Sequence, residues 1–401
     1  MDNKIYCRTF QMGLNIGARA LYWRKPITVT GAGCRSRIPE LFKSMGADRV
    51  CVVTGRHVGK SIAPEIIENL EKSGIHCFHF SEVEANPTTA VVDRIVETYR
   101  ANYCNAFLAI GGGSPIDAAK GAAALITRPE KNLSQMAGLF KVMRKLPPFV
   151  AVPTTAGTGS ETTIAAVITD SATHHKYAVM DLNLVPRYAV LDPELTRDLP
   201  PKTTSTTGMD ALTHAVEAYL CWTNRTREVD TLAEEATVTI FKYLERAYRD
   251  GGDMEARSEM LTAAFKAGFA FTRSGVGNVH AIAHTLGGLY GTPHGLANAV
   301  ILPIVLEDYG AAVYKRLARL SELTGTKTIG TDEEKAQAFI AEIYEMNRRM
   351  GIPTGFDFIE DKDIPQMVEW ALAEANPTYP VPVIYDAEHC AEVIRHIREQ
   401  A

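Results

Sequence analysis

Histidines and a carboxylate stand at helical spacing in the second half of the chain. Asp210 and His214 are four residues apart, and the same spacing separates His280 from His284. Side chains at positions i and i+4 share one face of an α-helix. His294 follows a Gly and Pro turn, so it can approach the same point from another direction. One carboxylate and several imidazoles, without a thiolate, suit Fe²⁺, Zn²⁺, Mn²⁺ or Ni²⁺.

A structural role is the alternative for these side chains. A single histidine on an apolar helix is commonly a core residue, and an Asp–His pair at this spacing is commonly only a hydrogen bond. Two such pairs and a further histidine nearby favour a metal site. The residue after His280 is Ala281 rather than Glu, which argues against an H-E-x-x-H protease.

A second group of residues, in the first half of the chain, has the properties of an anion-binding site. Three glycines at 111–113 separate an apolar run from a helical pattern, for which we predict Ser114 as the N-cap. Backbone amides and the helix dipole at such a turn attract phosphate. The stretch PTTAGTGSE adds the hydroxyls of Thr154, Thr155 and Thr158 after the next apolar run. Two such loops favour a bound dinucleotide, and a plain tight turn is the alternative.

The elements that position these groups change type along the chain. Before residue 197, short β-branched runs alternate with helical patterns, which predicts a parallel sheet covered on both faces. The stretch 197–210 is rich in Pro, Ser and Thr and is predicted to be a linker, and long helical windows follow it. We therefore predict an α/β dinucleotide-binding domain at residues 1–196 and an all-α metal-binding and catalytic domain at 197–401.

Composition argues against several classes of partner. The 401 residues carry a net charge of −5, so there is no basic excess to bind nucleic acid. No uninterrupted apolar run reaches membrane-spanning length, and we expect no membrane partner. The seven cysteines include no C-x-x-C pair, which is typical of a protein of the reducing cytoplasm.

Together these segments resemble the iron-containing (group III) alcohol dehydrogenase family. The resemblance covers about residues 26–395 and implies the dehydroquinate synthase-like fold of that family. It also implies reversible hydride transfer between NAD(P) and a small primary or secondary alcohol, and we expect a homodimer or higher homo-oligomer. The motifs that carry the resemblance are GAGCRSRIPELFKSMGADRVCVVTG, NPTTAVVD, GGGSPIDAAK, PTTAGTGSE, GMDALTHAVEAY and VHAIAHTLGGLYGTPHG.

The resemblance implies a role for each candidate residue. His284 would lie beside a single catalytic Fe²⁺ and handle a proton, and Zn²⁺ is the alternative ion. The implied metal ligands are Asp210, His214, His280 and His294. The implied cofactor contacts are Asn86, Gly112, Gly113, Ser114, Thr154, Thr155, Thr158 and Lys176.

One departure from the family pattern concerns the choice of cofactor. After the run RVCVVT, many NAD-using members carry an Asp that binds the ribose 2′-hydroxyl, whereas this chain has Gly55 followed by Arg56. A carboxylate would repel a 2′-phosphate, whereas Gly leaves room and Arg could pair with it. We therefore predict NADP rather than NAD. A turn-forming Gly55 beside a solvated Arg56 is the alternative.

The expected reaction is oxidation of an alcohol to an aldehyde or ketone. The metal would polarise the oxygen, and His284 would relay the hydroxyl proton. Two other functions stay open. A metal- and NAD-dependent lyase of the dehydroquinate-synthase type predicts a pocket richer in Lys and Arg than AIAHTLGGLYG, and a non-catalytic metal-binding protein would not need two anion loops.

Overall fold

The chain forms two compact units. The computed structural model describes residues 4–173 and 176–401. One unit comprises Trp23–Asp198, and the other comprises Met1–Tyr22 with Leu199–Ala401. The predicted division assigned the first 22 residues to the α/β domain, whereas the helix α1 (Lys4–Arg19) belongs to the helical unit.

The unit Trp23–Asp198 contains the strands and several short helices. Its strands are β1 (Ile27–Thr30), β2 (Arg49–Gly55), β3 (His76–Val83), β4 (Ala106–Gly111), β5 (Gly138–Leu139), β6 (Phe149–Pro153), β7 (Ala165–Thr169), β8 (Lys176–Met180) and β9 (Tyr188–Leu191). Its α-helices are α2 (Ile38–Ser44), α3 (Arg56–Ser61), α4 (Ala63–Lys72), α5 (Thr89–Ala101) and α6 (Gly113–Thr127).

A parallel sheet forms the centre of this unit. Within the described residues it has six strands in the order β1-β9-β6-β4-β2-β3, and each neighbouring pair is parallel. Every residue of β4 and β6 is buried, which matches their unbroken apolar sequences. The predicted α/β class with a parallel sheet is therefore confirmed. The small sheet β5-β8-β7 was not predicted.

Helices cover both faces of the sheet. Successive residues of a strand point to opposite faces, so one strand contributes to a hydrophobic cluster on each side. Cys51 and Val53 of β2 belong to a hydrophobic cluster that includes residues of α5 and α6. Val50 and Val52 belong to a second cluster, which includes residues of α2 and α4. A strand buried on both faces cannot show polar alternation, and this explains the continuous apolar run in the sequence.

The turn between β4 and α6 differs from the prediction at its cap. The helix begins at Gly113, so Ser114 is already a helical residue and is not the N-cap. Gly111 has φ of +151°, a conformation that glycine adopts without steric cost. The Asp117 carboxylate of the same helix accepts hydrogen bonds from Ser160 Oγ at 2.5 Å and from the Val167 amide at 3.1 Å.

Long helices make up the second unit. After α1 these are α7 (Pro201–Leu220), α8 (Arg227–Arg249), α9 (Met254–Ser274), α10 (Asn278–Tyr290), α11 (His294–Tyr309), α12 (Tyr314–Thr324), α13 (Asp332–Arg349), α14 (Ile364–Ala375) and α15 (Ala387–Glu399). By length and apolar composition, the segment His294–Ala312 could cross a membrane. However, ten consecutive residues, 297–306, are buried inside the unit, as in the core helix of a globular protein.

The prediction of a linker at 197–210 is wrong for most of that stretch, because α7 begins at Pro201. Pro201 occupies the first position of α7, where a missing N–H costs no intrahelical hydrogen bond. The hydroxyls of Thr206 and Thr207 donate back to the carbonyls of Lys202 and Thr203. These local bonds satisfy the polar side chains inside a helix, so a Thr-rich composition here does not indicate a flexible connection.

Candidate functional site

Four predicted metal ligands converge in the helical unit. Helix α7 carries Asp210 and His214, α10 carries His280, and α11 begins with His294. One ligand atom from each of these residues lies within 4.8 Å of all the others. Asp210 Oδ1 is 3.4 Å from His294 Nε2 and 4.0 Å from His280 Nε2. The i, i+4 spacing on α7 therefore brings both side chains to one point, as the sequence predicted.

The close approach of α11 to α7 depends on a glycine next to a ligand. A Cβ at Gly295 would lie 2.4 Å from the Thr206 carbonyl oxygen and 3.4 Å from Asp210 Cβ. Because no such atom is present, the first turn of α11 packs directly against α7. His294 is thus brought to the carboxylate by a backbone contact that only glycine permits.

The donor set fits a metal ion. The amide nitrogen of Asn298 lies 2.7 Å from Asp210 Oδ1, 3.2 Å from His280 Nε2 and 3.1 Å from His294 Nε2. An amide carries two N–H groups, so it cannot donate to all three of these atoms. A carboxylate oxygen and imidazole nitrogens that face one point, without a thiolate, suit Fe²⁺ or Zn²⁺.

Glu217 sets the tautomer of one ligand. Its Oε2 accepts a hydrogen bond from His280 Nδ1 at 2.6 Å, and its Oε1 accepts the Val279 amide at 2.8 Å. An ionised carboxylate only accepts, so Nδ1 carries the proton and Nε2 is left as a lone-pair donor to a metal. Burial disfavours the charged ring, but Glu217 and Asp210 outweigh it and raise the pKa of His280. This pocket therefore favours positive charge.

His284 lies beside the cluster of four and has its own carboxylate partner. Its ring stacks on His294 with centroids 5.1 Å apart. Its Nδ1 donates to Glu374 Oε1 at 2.7 Å, and the Tyr379 hydroxyl donates to the same oxygen at 2.6 Å. Burial opposes ionisation of Glu374, but these two partners hold the pKa of its carboxyl below the usual range. With Nδ1 protonated, His284 Nε2 is an acceptor available for a substrate proton.

Four residues of this site were not predicted from the sequence. Glu217 extends the i, i+4 pattern of α7 to i+7, and Asn298 is four residues after His294, so helical spacing could have identified both. Glu374 is 90 residues from His284, and Tyr379 lies on the irregular segment after α14. No local signal in the sequence links those two residues to the histidine.

The predicted nucleotide contacts lie in the other unit, around the carboxyl edge of its sheet. After β2 the chain adds β3 on one side of it, at the edge of the sheet. The next strand, β4, lies on the other side of β2, and β6 then follows beyond β4. Ligands of open α/β sheets bind at such a reversal of strand order, outside the carboxyl ends of the strands. Gly55 ends β2 and Gly112 follows β4, so both stand at this position.

The two predicted anion loops meet there. A Cβ at Gly112 would lie 3.2 Å from Thr155 Oγ1, and one at Gly113 would lie 3.0 Å from Thr158 Cγ2. Side chains on these glycines would fill the space between the loops. We call Gly112, Gly113, Thr155 and Thr158 the glycine–threonine cradle. Ser114, on the first turn of α6, and Thr154, whose amide donates to the Gly111 carbonyl at 2.9 Å, adjoin it. The cradle fits a phosphate group, since it combines backbone amides with hydroxyls at a helix start.

A buried cation holds the second loop against α6. Lys120 Nζ donates to the Thr163 carbonyl at 2.9 Å and to the Ala165 carbonyl at 2.8 Å. Burial lowers the pKa of Lys120 to about 8 and raises that of Glu161 to about 7. Burying an ammonium group is costly unless it is hydrogen-bonded, so the bonds of Lys120 hold the chain at Thr163 and Ala165 against α6.

The remaining predicted contacts form smaller groups. Lys176 Nζ donates to Asn86 Oδ1 at 3.0 Å, so these two residues are brought together. At the end of β2, a Cβ on Gly55 would lie 3.1 Å from the Val83 carbonyl oxygen. The exposed Arg56 is 3.5 Å from Glu84, a surface pair that binds weakly in water.

The helical unit therefore carries a candidate metal site, and the unit with the parallel sheet carries a candidate phosphate site. The family model for iron-containing alcohol dehydrogenase matches residues 26–193, and the model for the C-terminal part of the Fe-containing alcohol dehydrogenase family matches residues 204–397. The chain belongs to the iron-containing alcohol dehydrogenase family, and it is an oxidoreductase.

Individual relatives agree with this assignment. The chain is 34% identical over 375 residues to the NAD-dependent methanol dehydrogenase of Bacillus methanolicus, covering 92% of this chain and 98% of the relative. It is 36% identical to the NADPH-dependent butanol dehydrogenase of Clostridium saccharobutylicum, and the match covers 79% of this chain and 81% of that relative. A crystal structure of 1,3-propanediol oxidoreductase superposes with a TM-score of 0.91 at 34% identity, covering 94% of this chain and 100% of the other. These relatives do not favour the lyase or the non-catalytic alternative.

Proposed function

We propose that this protein is an Fe²⁺-dependent alcohol dehydrogenase that transfers hydride reversibly between NADP and a small primary or secondary alcohol. The observation that carries the proposal is the convergence of Asp210, His214, His280 and His294, with His284 beside them. Relatives named for methanol, butanol and 1,3-propanediol support a small alcohol or the corresponding aldehyde as substrate.

Each residue of the site has a separate role in this reaction. An Fe²⁺ ion bound by the four ligands would supply a Lewis acid for the alcohol oxygen. Glu217 keeps His280 in the tautomer that can bind it. Glu374 keeps the proton of His284 on Nδ1, so that His284 Nε2 can accept the hydroxyl proton of the alcohol and return it in the reverse direction. In the other unit, the glycine–threonine cradle would hold the pyrophosphate.

The direct test is a scan of alcohols and aldehydes with each nicotinamide cofactor, followed at the absorbance of the reduced form. We expect oxidation of short alcohols and reduction of their aldehydes by protein that is replete with Fe²⁺. A lyase would consume its substrate without net change in reduced nicotinamide, and a non-catalytic protein would consume nothing. Either result with a fully metallated preparation would overturn the proposal.

The preference for NADP is the finer part of the proposal and rests on Gly55. The relatives include both an NAD-dependent and an NADPH-dependent enzyme, so membership of the family does not decide between them. We expect the wild type to have the higher kcat/KM with NADPH. Gly55→Asp should lower kcat/KM for NADPH by about tenfold or more, because it places a carboxylate where the 2′-phosphate would lie.

The matched control for this substitution is Gly55→Ala. Both variants add a Cβ close to the Val83 carbonyl oxygen, but only one adds charge. Gly55 has φ of −81°, so neither side chain forces a left-handed backbone. An equal loss of NADPH activity in both variants, or a clear wild-type preference for NADH, would reject the argument from Gly55 and leave the family assignment intact.

We also propose that the protein works in the cytoplasm. All seven cysteines are free, which supports a reducing compartment. Assembly into a homodimer or higher homo-oligomer stays a prediction.

A further inference from the structure

The N-terminal helix α1 lies outside the family match but inside the helical unit. The family models begin at residue 26, whereas α1 spans Lys4–Arg19 and belongs to the unit that carries the metal cluster. One face of the helix is buried, with Cys7 and Gln11 both inaccessible to solvent. A segment outside the residues matched by the family models therefore covers part of this unit.

Two side chains of α1 bind one irregular segment. Arg8 donates to the carbonyl of Val381 at 2.7 Å and to that of Pro382 at 2.8 Å. Gln11, which is 1% exposed, donates to the carbonyl of Tyr379 at 2.7 Å and to that of Pro377 at 3.3 Å. All four acceptors lie between α14 and α15, and the Tyr379 carbonyl also accepts the Val381 amide at 2.8 Å.

These contacts fix the segment in place. Carbonyl groups outside regular structure need partners when they are removed from water, and α1 provides them. Arg8 also donates to Gln11 Oε1 at 3.0 Å and lies over the Trp222 ring at 4.3 Å from its centroid. Cys7 packs with Val381 and Ile384 in a small apolar cluster. The donors are thus held rigid by packing as well as by each other.

The braced segment leads directly to the candidate proton relay. Its Tyr379 has its backbone carbonyl bound by Gln11, while its hydroxyl donates to Glu374. Glu374 in turn accepts from His284. Gln11 on α1 therefore holds the backbone of Tyr379, and the hydroxyl of the same residue connects through Glu374 to His284 beside the metal ligands.

We propose that α1 positions His284 for proton transfer by bracing Tyr379 and, through it, Glu374. This inference rests on the proposed function of His284 and adds Arg8 and Gln11 as positioning residues. Loss of the brace lets Tyr379 and Glu374 shift, and His284 then loses its orientation without any change at Asp210, His214, His280 or His294.

The test uses full-length, Fe²⁺-loaded enzyme. Gln11→Met keeps the side-chain volume but removes both donors, and kcat should fall by roughly tenfold to a hundredfold, because small misplacements of a catalytic group are costly. Metal content and the KM for NADP should stay at wild-type values. The control is Thr9→Ala, which removes a hydrogen bond of 2.8 Å from an exposed side chain of the same helix to the Ile5 carbonyl within that helix. It should leave kcat unchanged.

A double-mutant cycle separates positioning from general stabilisation. Tyr379→Phe removes the hydroxyl that donates to Glu374, and we expect it to lower kcat with metal retained. If α1 acts through this hydroxyl, adding Gln11→Met should lower kcat little further, whereas independent effects would multiply. The inference would be overturned by multiplied effects in the cycle, by a wild-type kcat or a loss of metal in Gln11→Met, or by an equal fall of kcat in Thr9→Ala.

The same experiment distinguishes this inference from the function on which it rests. His284→Ala and Glu374→Gln are measured alongside the other variants. If both keep full kcat, the proposed proton role of His284 fails. If both lower kcat and Gln11→Met does not, the role of α1 fails alone.

Discussion

Alanine at His280 or His294 is expected to strip the metal from the purified protein and abolish alcohol oxidation, whereas alanine at His284 keeps the metal. The first two rings present Nε2 to Asp210 across the cluster, so each loss removes one of four ligands. The fall in metal affinity should exceed the roughly 10–100-fold that loss of an outer hydrogen bond to a ligand costs. His284→Ala should lower kcat by about 10²–10⁴-fold, the usual contribution of a general acid–base group.

Mass spectrometry measures the metal content of each variant, and assays at saturating Fe²⁺ measure its kcat. Together they test both parts of this expectation. All three substitutions remove an imidazole from one small region, so each controls for the loss of packing in the others. Thermal unfolding of the metal-free proteins checks that buried His280 is not required for folding itself. Equal loss of metal in all three variants would show that the histidines do not divide into two ligands and one proton relay.

The assignment of the histidines as two ligands and one proton relay could be predicted from the sequence only in part. Asp210 and His214 share a face of α7 because of local helical geometry, and their convergence with His280 was predicted from spacing and family resemblance. The partner that orients His284 was not accessible, since Glu374 and Tyr379 reach it through tertiary packing. Pairs distant in the chain leave no periodic signal in a single sequence.

The same distinction holds for the fold. The buried strands β2, β4 and β6 were predicted because continuous apolar runs mark strands covered on both faces. The half-exposed strands β7 and β8 pair with each other, and neither sequence shows a clear pattern. At 197–210 the composition predicted a linker, and the prediction was wrong because these threonines donate hydrogen bonds to carbonyls of their own helix.

Activity is expected to depend on Fe²⁺, and protein purified in air should be partly inactive and recover when Fe²⁺ is added anaerobically. Three imidazoles and one carboxylate would give Fe²⁺ no strong intrinsic advantage over Zn²⁺, so we expect mixed occupancy after expression, set by metal supply. Iron at a catalytic position open to substrate is also exposed to oxidation. Activity assays and metal analysis before and after reconstitution test this expectation, and full activity in a chelator-stripped, metal-free preparation would contradict the mechanism altogether.

Asp210→Asn provides the sharpest control for that dependence. Asp210 is the only anionic member of the cluster of four, so its amide analogue removes the ligand charge while keeping the shape of the side chain. The Asn298 contact at 2.7 Å can persist, because an amide oxygen also accepts a hydrogen bond. Metal retention should fall strongly, whereas calorimetry should find NADP binding largely intact, since the glycine–threonine cradle belongs to the unit Trp23–Asp198. If NADP binding were lost together with the metal, the variant would have disturbed more than the cluster, and the assignment of charge at the site to Asp210 would be wrong.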